Sequence, residues 1–191
     1  MQTSTPDTPP QTALRAALSY AEMGWPVLPG AIWHNGHFAD PVTERRVASP
    51  CLASTEEATT DAALVREWWS TPGLHEPNVL TVTGERLGAF AVSESLVMSL
   101  ADDPWFAALP TPVLALPNMP IAYSLVHPPL PSVLMSDQAR VVDAGMPMPL
   151  PPSALDTTPV IWLITPEQAG CRLVPADALA DLIHGYERRS A

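Results

Sequence analysis

Apolar positions first recur at helical spacing at Ala13, Leu14, Ala17, Leu18 and Ala21. They predict a helix from a cap at Thr12 to about Met23, stopped by Gly24. Trp25-Pro26-Val27-Leu28-Pro29 follows as a short buried strand between two prolines. Residues 30–58 show no clear period and read as a long loop. A second amphipathic stretch pairs Leu64 with Trp68 and Val65 with Trp69. This predicts a helix capped at Thr60, with Asp61 in its first turn, running to about Trp69 and ended by Thr71-Pro72-Gly73. Asn78 to Gly84 reads as a strand, and Gly88 to Val92 as its hairpin partner across the short link Gly84–Leu87. Ser93 caps an expected helix from Glu94 to about Asp102. Pro112–Leu116 and Ile121–Val126 form an expected antiparallel pair about the turn Pro117–Pro120. Residues 127–137 read as loop, Arg140–Asp143 as an edge strand, Met146–Pro152 as an extended polyproline-like run, and Val160–Ile164 as a strand. A final helix spans about Pro175 to Arg188. The order predicts an α+β fold, with a mostly antiparallel or mixed sheet flanked by helices. No internal repeat and no Rossmann or P-loop glycine pattern is present.

Composition narrows the functions open to such a fold. The chain has 191 residues, enough for one ordinary domain. We expect a single domain over 12–191, with 12–85 as its N-terminal part and 86–191 as the remainder. Residues 1–11 have nothing to bury and are expected to be a disordered tail. Twenty carboxylates stand against nine basic residues, all arginine, for a net charge of −11. Such a surface repels phosphate backbones unless its arginines gather in one place, so nucleic acid is not the expected partner. No basic leader or long apolar run is found, which predicts a soluble cytoplasmic protein without a membrane span. Cys51 and Cys171 form no CxxC pair and are expected to be reduced thiols.

Candidate chemistry is sparse. His34 and His37, with Asp40 and Cys51, have a permissive spacing for zinc. Because they lie in an acidic stretch without pattern, a solvated loop is the plainer reading. Trp68 and Trp69 offer stacking surface for a base, but packing of the second helix is the expected role, as it is for Trp25 and Trp162. Arg45-Arg46 and Arg188-Arg189 are basic pairs suited to an acidic partner or simply to solvent. No nucleophilic triad can be argued from spacing. The Met146–Pro152 run reads as a crossing loop able to present a partner surface.

Three stretches together carry a resemblance: Ala17 to Gly30 (ALSYAEMGWPVLPG), Ala58 to Trp69 (ATTDAALVREWW) and Asn78 to Gly84 (NVLTVTG). In this order and spacing they resemble the N-terminal domain of bifunctional DNA primase/polymerases, most nearly the short stand-alone version of high-GC actinobacteria. Pro151-Pro152-Ser153, Val160–Leu163, Leu173–Ala178 and Glu187-Arg188-Arg189 extend the likeness over about 12–191. The resemblance implies the archaeo-eukaryotic primase fold, an RRM-like sheet flanked by helices, with a smaller N-terminal unit completing a cleft. It implies nucleotide polymerisation on divalent metal held by an Asp-x-Asp after the Thr-Gly strand, with a phosphate-binding His on a later strand.

This chain departs from that pattern. The metal acids map to Ala91 and Ser93, or in the actinobacterial form to Gly88 and Ala91, and none of these is acidic. The strand Ile121–Val126 lacks His, and His127 lies just past it. The Cys- and His-rich loop of relatives keeps Cys51. Two-metal phosphoryl transfer needs carboxylates that bridge both ions. On a strand Ala91 and Ser93 share a face but cannot ligate strongly. Glu85 and Glu94 are the residues left for a displaced metal pair. The expectation is therefore a catalytically inactive domain with no cofactor and no catalytic residues, acting through a protein partner or self-association. Residual nucleotide or single-stranded DNA binding, polymerase activity on displaced ligands, and unrelated chemistry in a reused cleft are the alternatives.

Overall fold

The computed structural model describes residues 12–190 apart from Pro72, Leu74, Asp102, Val133, Met135, Asp156 and Thr157. The expected tail, residues 1–11, therefore lies outside the described residues. Helix α1 (Thr12–Glu22) buries Ala13, Ala17, Tyr20 and Ala21, and Gly24 ends it at φ +83°. Strand β1 (Val27–Gly30) is buried along its whole length. The stretch expected to be loop contains a small hairpin, β2 (Ile32–His34) and β3 (His37–Ala39). Its turn is Asn35-Gly36, both at positive φ, the conformation a two-residue hairpin turn requires. A 3-10 turn at Thr55–Glu57 closes with a capping box from Ser54.

Helix α2 (Ala62–Ser70) is capped by Asp61 rather than Thr60, the carboxylate accepting from the Ala63 N–H at 2.8 Å. Strands β4 (Asn78–Val82) and β5 (Gly88–Ser93) form where the pattern placed them but do not pair with each other. Both edges of β4 are already occupied: β1 lies on one side, and on the other lies β9 (Pro147–Leu150). Gly84 and Leu87 close a turn at 2.8 Å, and the chain passes from one sheet to the other there. The polyproline-like run is thus the edge strand of a three-stranded sheet ordered β1-β4-β9. Met148 and Leu150 are buried on alternate positions, while Pro147 and Pro149, lacking N–H, occupy the intervening ones. β9 crosses the boundary at 85/86 and belongs spatially to the N-terminal sheet.

Helices α3 (Glu94–Ala101) and α4 (Pro104–Ala108) follow β5, and Ser93 caps α3 by accepting from the Leu96 N–H at 3.2 Å. Strands β6 (Val113–Ala115) and β7 (Ile121–His127) pair antiparallel, as their turn predicts. Strand β8 (Ala139–Val141) is the far edge beside β5. A two-stranded pair, β10 (Ala154–Leu155) and β11 (Thr158–Pro159), precedes β12 (Ile161–Ile164). β13 (Val174–Pro175) pairs parallel with β7 and leads into α5 (Ala176–Ser190). The large sheet runs β12-β6-β7-β5-β8 with β13 beside β7, so it is mixed. The whole is an α+β fold of RRM-like architecture. Among the described residues no helix is long and apolar enough to cross a membrane.

Strand alternation divides the core. Phe90 and Val92 of β5 face one cluster with Leu96, Leu100, Phe106, Leu179 and Ile183 from the following helices. Ala89 faces the other way, into a cluster where α1, α2, one face of the small sheet and one face of the large sheet meet. Tyr20 joins three chain segments there. Its hydroxyl donates to the Pro151 carbonyl at 2.7 Å and accepts from the Trp162 indole N–H at 3.2 Å, and its ring stacks on Trp25.

Burial pushes the Tyr20 phenol up from 10.0 to about 12, the indole bond opposing the rise. The fold thus favours neutral Tyr20, a contribution intact below pH 10 and lost as pH climbs through 12. In an alkaline absorbance titration, one of the three tyrosines should stay protonated to about pH 12. Tyr20→Phe should remove that late step.

Candidate functional site

The cleft at the end of β5 is built from alternating side chains. Ala91 sits opposite Tyr123 of β7 and Arg140 of β8. It lines a cavity of ≈ 580 Å³ with Ser93, Ser95, Ile121, Ser136, Asp137, Gln138 and Arg140. The Ser93 and Ser95 hydroxyls lie 3.1 Å apart, and Ser93 donates to the Gln138 side-chain carbonyl at 3.1 Å. The Ser93 N–H also donates to the Gln138 backbone carbonyl at 2.8 Å, fixing the 136–138 turn over the strand end. A neighbouring cavity of ≈ 600 Å³ shares Ser136, Asp137 and Gln138 and adds Tyr186, Glu187 and Ser190. Glu187 is engaged there by the Ser136 hydroxyl at 2.7 Å.

Gly88 does not belong to this cleft. A Cβ on it would meet Leu130 Cδ2 at 2.5 Å and Val126 Cγ2 at 3.2 Å, both on the face that Phe90 and Val92 bury. Gly88 and Ala91 therefore point to opposite sides of the sheet, while Ala91 and Ser93 share one. Glu85 and Glu94 do not come together either. They flank the two ends of β5, whose five residue steps alone span roughly 16 Å. Glu85 lines a separate cavity with Glu56 and Arg86. His127 extends β7, but at the end beside Gly88, one strand length from Ser93. Of the nine arginines, Arg140 alone lines the cleft among the described residues. Arg189 pairs with Asp103 at 2.6 Å, and Arg45 and Arg46 are exposed on the 40–46 turn. Trp69 is buried and donates to the Pro77 carbonyl at 3.3 Å, and Trp68 is half-buried, so both pack α2.

The zinc set read from the sequence forms no metal-capable group among the described residues, although His34 and His37 face each other across the β2–β3 hairpin. Cys51 bridges to Gly30 and packs on Leu28, Leu80 and Val82, and burial raises its thiol against the opposing Ser49 bond. The Asp40 carboxylate is held by the Thr43 N–H at 2.8 Å and the Val42 N–H at 3.0 Å, which lower its pKa against slight burial. His37 is bonded to the Asn35 carbonyl. His34 instead meets two residues that spacing did not single out, Glu44 and His75, with their ligand atoms all within 4.8 Å of one another. Ser95 and Gln138 were likewise missed. Ser95 stands in the first turn of α3, two residues past its cap Ser93, while Gln138 and His75 reach their sites only through tertiary packing.

The family model for bifunctional DNA primase/polymerase, N-terminal (Prim-Pol), matches residues 17–176. The chain belongs to this family. No curated protein and no solved structure matches it. The Prim-Pol match runs from α1 to the first residue of α5, so it takes in both sheets and the cleft at the end of β5.

Proposed function

We propose that this chain is a Prim-Pol domain that has given up nucleotide transfer and works as a binding or regulatory protein through protein contacts. One observation carries the reading: the two positions that share the cleft face at the end of β5 are Ala91, a bare methyl, and Ser93, a hydroxyl satisfied by Gln138 and by Ser95 of the following helix. Two divalent ions need anionic bridging ligands, and a methyl and a neutral hydroxyl already engaged with a carboxamide do not replace them. The acidic net charge, and Arg140 as the one arginine that lines the cleft among the described residues, also weigh against a nucleic-acid track. Protein contact is supported by the edge strand β12, where Ile161 is 49% and Leu163 38% exposed. An exposed apolar edge accepts a strand from another chain.

Primer-extension and de novo priming assays with Mg²⁺ and with Mn²⁺ test this. The expected result is no incorporation above background; templated incorporation would overturn the reading. Arg140 favours one secondary possibility, capture of an anionic group in the cleft, read by low-salt nucleotide titration of the native chain against Arg140→Ala.

A further inference from the structure

We infer that His34, Glu44 and His75 form a binding site for a divalent transition cation of the zinc class. Two imidazoles and one carboxylate make a borderline donor set that suits zinc and disfavours magnesium or calcium, which take oxygen ligands. The three residues come from different segments. His34 ends β2 at the hairpin turn, Glu44 occupies the 40–46 turn, and His75 lies in the loop after α2.

Their ligand atoms are within 4.8 Å of one another, and His75 Nε2 is 2.9 Å from Glu44 Oε1. Tetrahedral ligands at about 2.0–2.2 Å from one ion stand roughly 3.3–3.6 Å apart, so side-chain rotations that close the widest pair by at most about 1.5 Å complete the shell. The His34 and His75 rings stand 6.0 Å apart.

The backbone holds this geometry in place. Asp40 pins the turn through Val42 and Thr43, and the Glu44 N–H donates to the Asp40 carbonyl at 2.8 Å. Glu44 itself sits at φ +57°, a conformation rarely adopted by a residue with a side chain. The His75 N–H donates to the Pro41 carbonyl at 3.0 Å, which locks the second loop onto the first. Gly73 permits that approach, because a Cβ there would meet the Pro41 carbonyl and Val42 Cα at 3.2 Å. The side chains of His75 and Glu44 are 42% and 38% exposed, leaving a fourth position to water. Three protein ligands and one open position fit a zinc site accessible to solvent. The ion would clamp the β2–β3 hairpin to the loop that follows α2.

The test is zinc titration of the full-length, tag-free chain by calorimetry and by competition with a chromophoric chelator. One ion per chain is expected. His34→Ala and His75→Ala should each weaken binding by at least about tenfold, the loss that outer-shell changes alone can cause. His37→Ala and Cys51→Ser should leave affinity unchanged. Cobalt loading should give visible ligand-field bands without a thiolate charge-transfer band. No binding overturns the inference, and so does binding that survives His34→Ala and His75→Ala or is lost with Cys51→Ser. Circular dichroism of each variant keeps folding separate from binding.

Discussion

Gly88→Asp is expected to destabilise the chain by about 3–5 kcal/mol, the range for an uncompensated buried charge. Ser93→Asp should leave the unfolding midpoint nearly unchanged. The contrast follows from strand alternation. Position 88 faces the helical core, where Leu130 must be displaced before any side chain can enter. A carboxylate forced there has the apolar side chains of Leu130 and Val126 as its nearest neighbours. Position 93 is half-buried at the rim of a polar cleft, beside Ser95 and Gln138. Urea unfolding of the two variants, followed by tryptophan fluorescence, measures both. Equal midpoints would remove the geometric reason for pairing Ala91 with Ser93 rather than with Gly88.

Ser153→Ala should cost about 2–4 kcal/mol, a large effect for the loss of one hydroxyl. Ser153 is 2% exposed. Its Oγ accepts from the Val79 N–H at 2.8 Å and donates to the Val79 carbonyl at 2.9 Å. Both backbone groups are inside the fold, and the methyl of alanine satisfies neither. Each abandoned group costs about 1–3 kcal/mol of desolvation. Thermal and urea unfolding of the variant report the loss, and Ser153→Thr, which keeps the hydroxyl, should recover part of it. A midpoint shift smaller than that of an exposed Ser→Ala change, such as Ser99→Ala, would show that water replaces the hydroxyl.

Helical elements were readable because their period is local. The faces of α1 and α2, and the start of α3 at Ser93, follow from spacing and caps within one element. Partner choice between strands was not. The five-residue link from Thr83 to Leu87 has hairpin length, yet β4 spends both edges on β1 and β9, which are distant in sequence. The period of two in Met148 and Leu150 was masked by the prolines between them. The hairpin at Asn35-Gly36 carried a strong turn signal, but strands of three residues give too short a pattern to register. For the sites, the neutral residues at 91 and 93 were visible in the sequence, and their shared face with them. Ser95, Gln138 and His75 were not, since a loop residue acquires its neighbours only once the fold is complete.

The place of β9 also bears on how the chain assembles. Thr81 finds its partner Met148 only after every strand of the larger sheet up to β8 has been made. Closing a loop of that length is entropically slow relative to the local pairings inside it. On the ribosome, β4 must therefore wait with one edge of its ladder open until residue 150 has emerged from the exit tunnel. Until then the nascent N-terminal half exposes an unpaired strand to chaperones and to its neighbours.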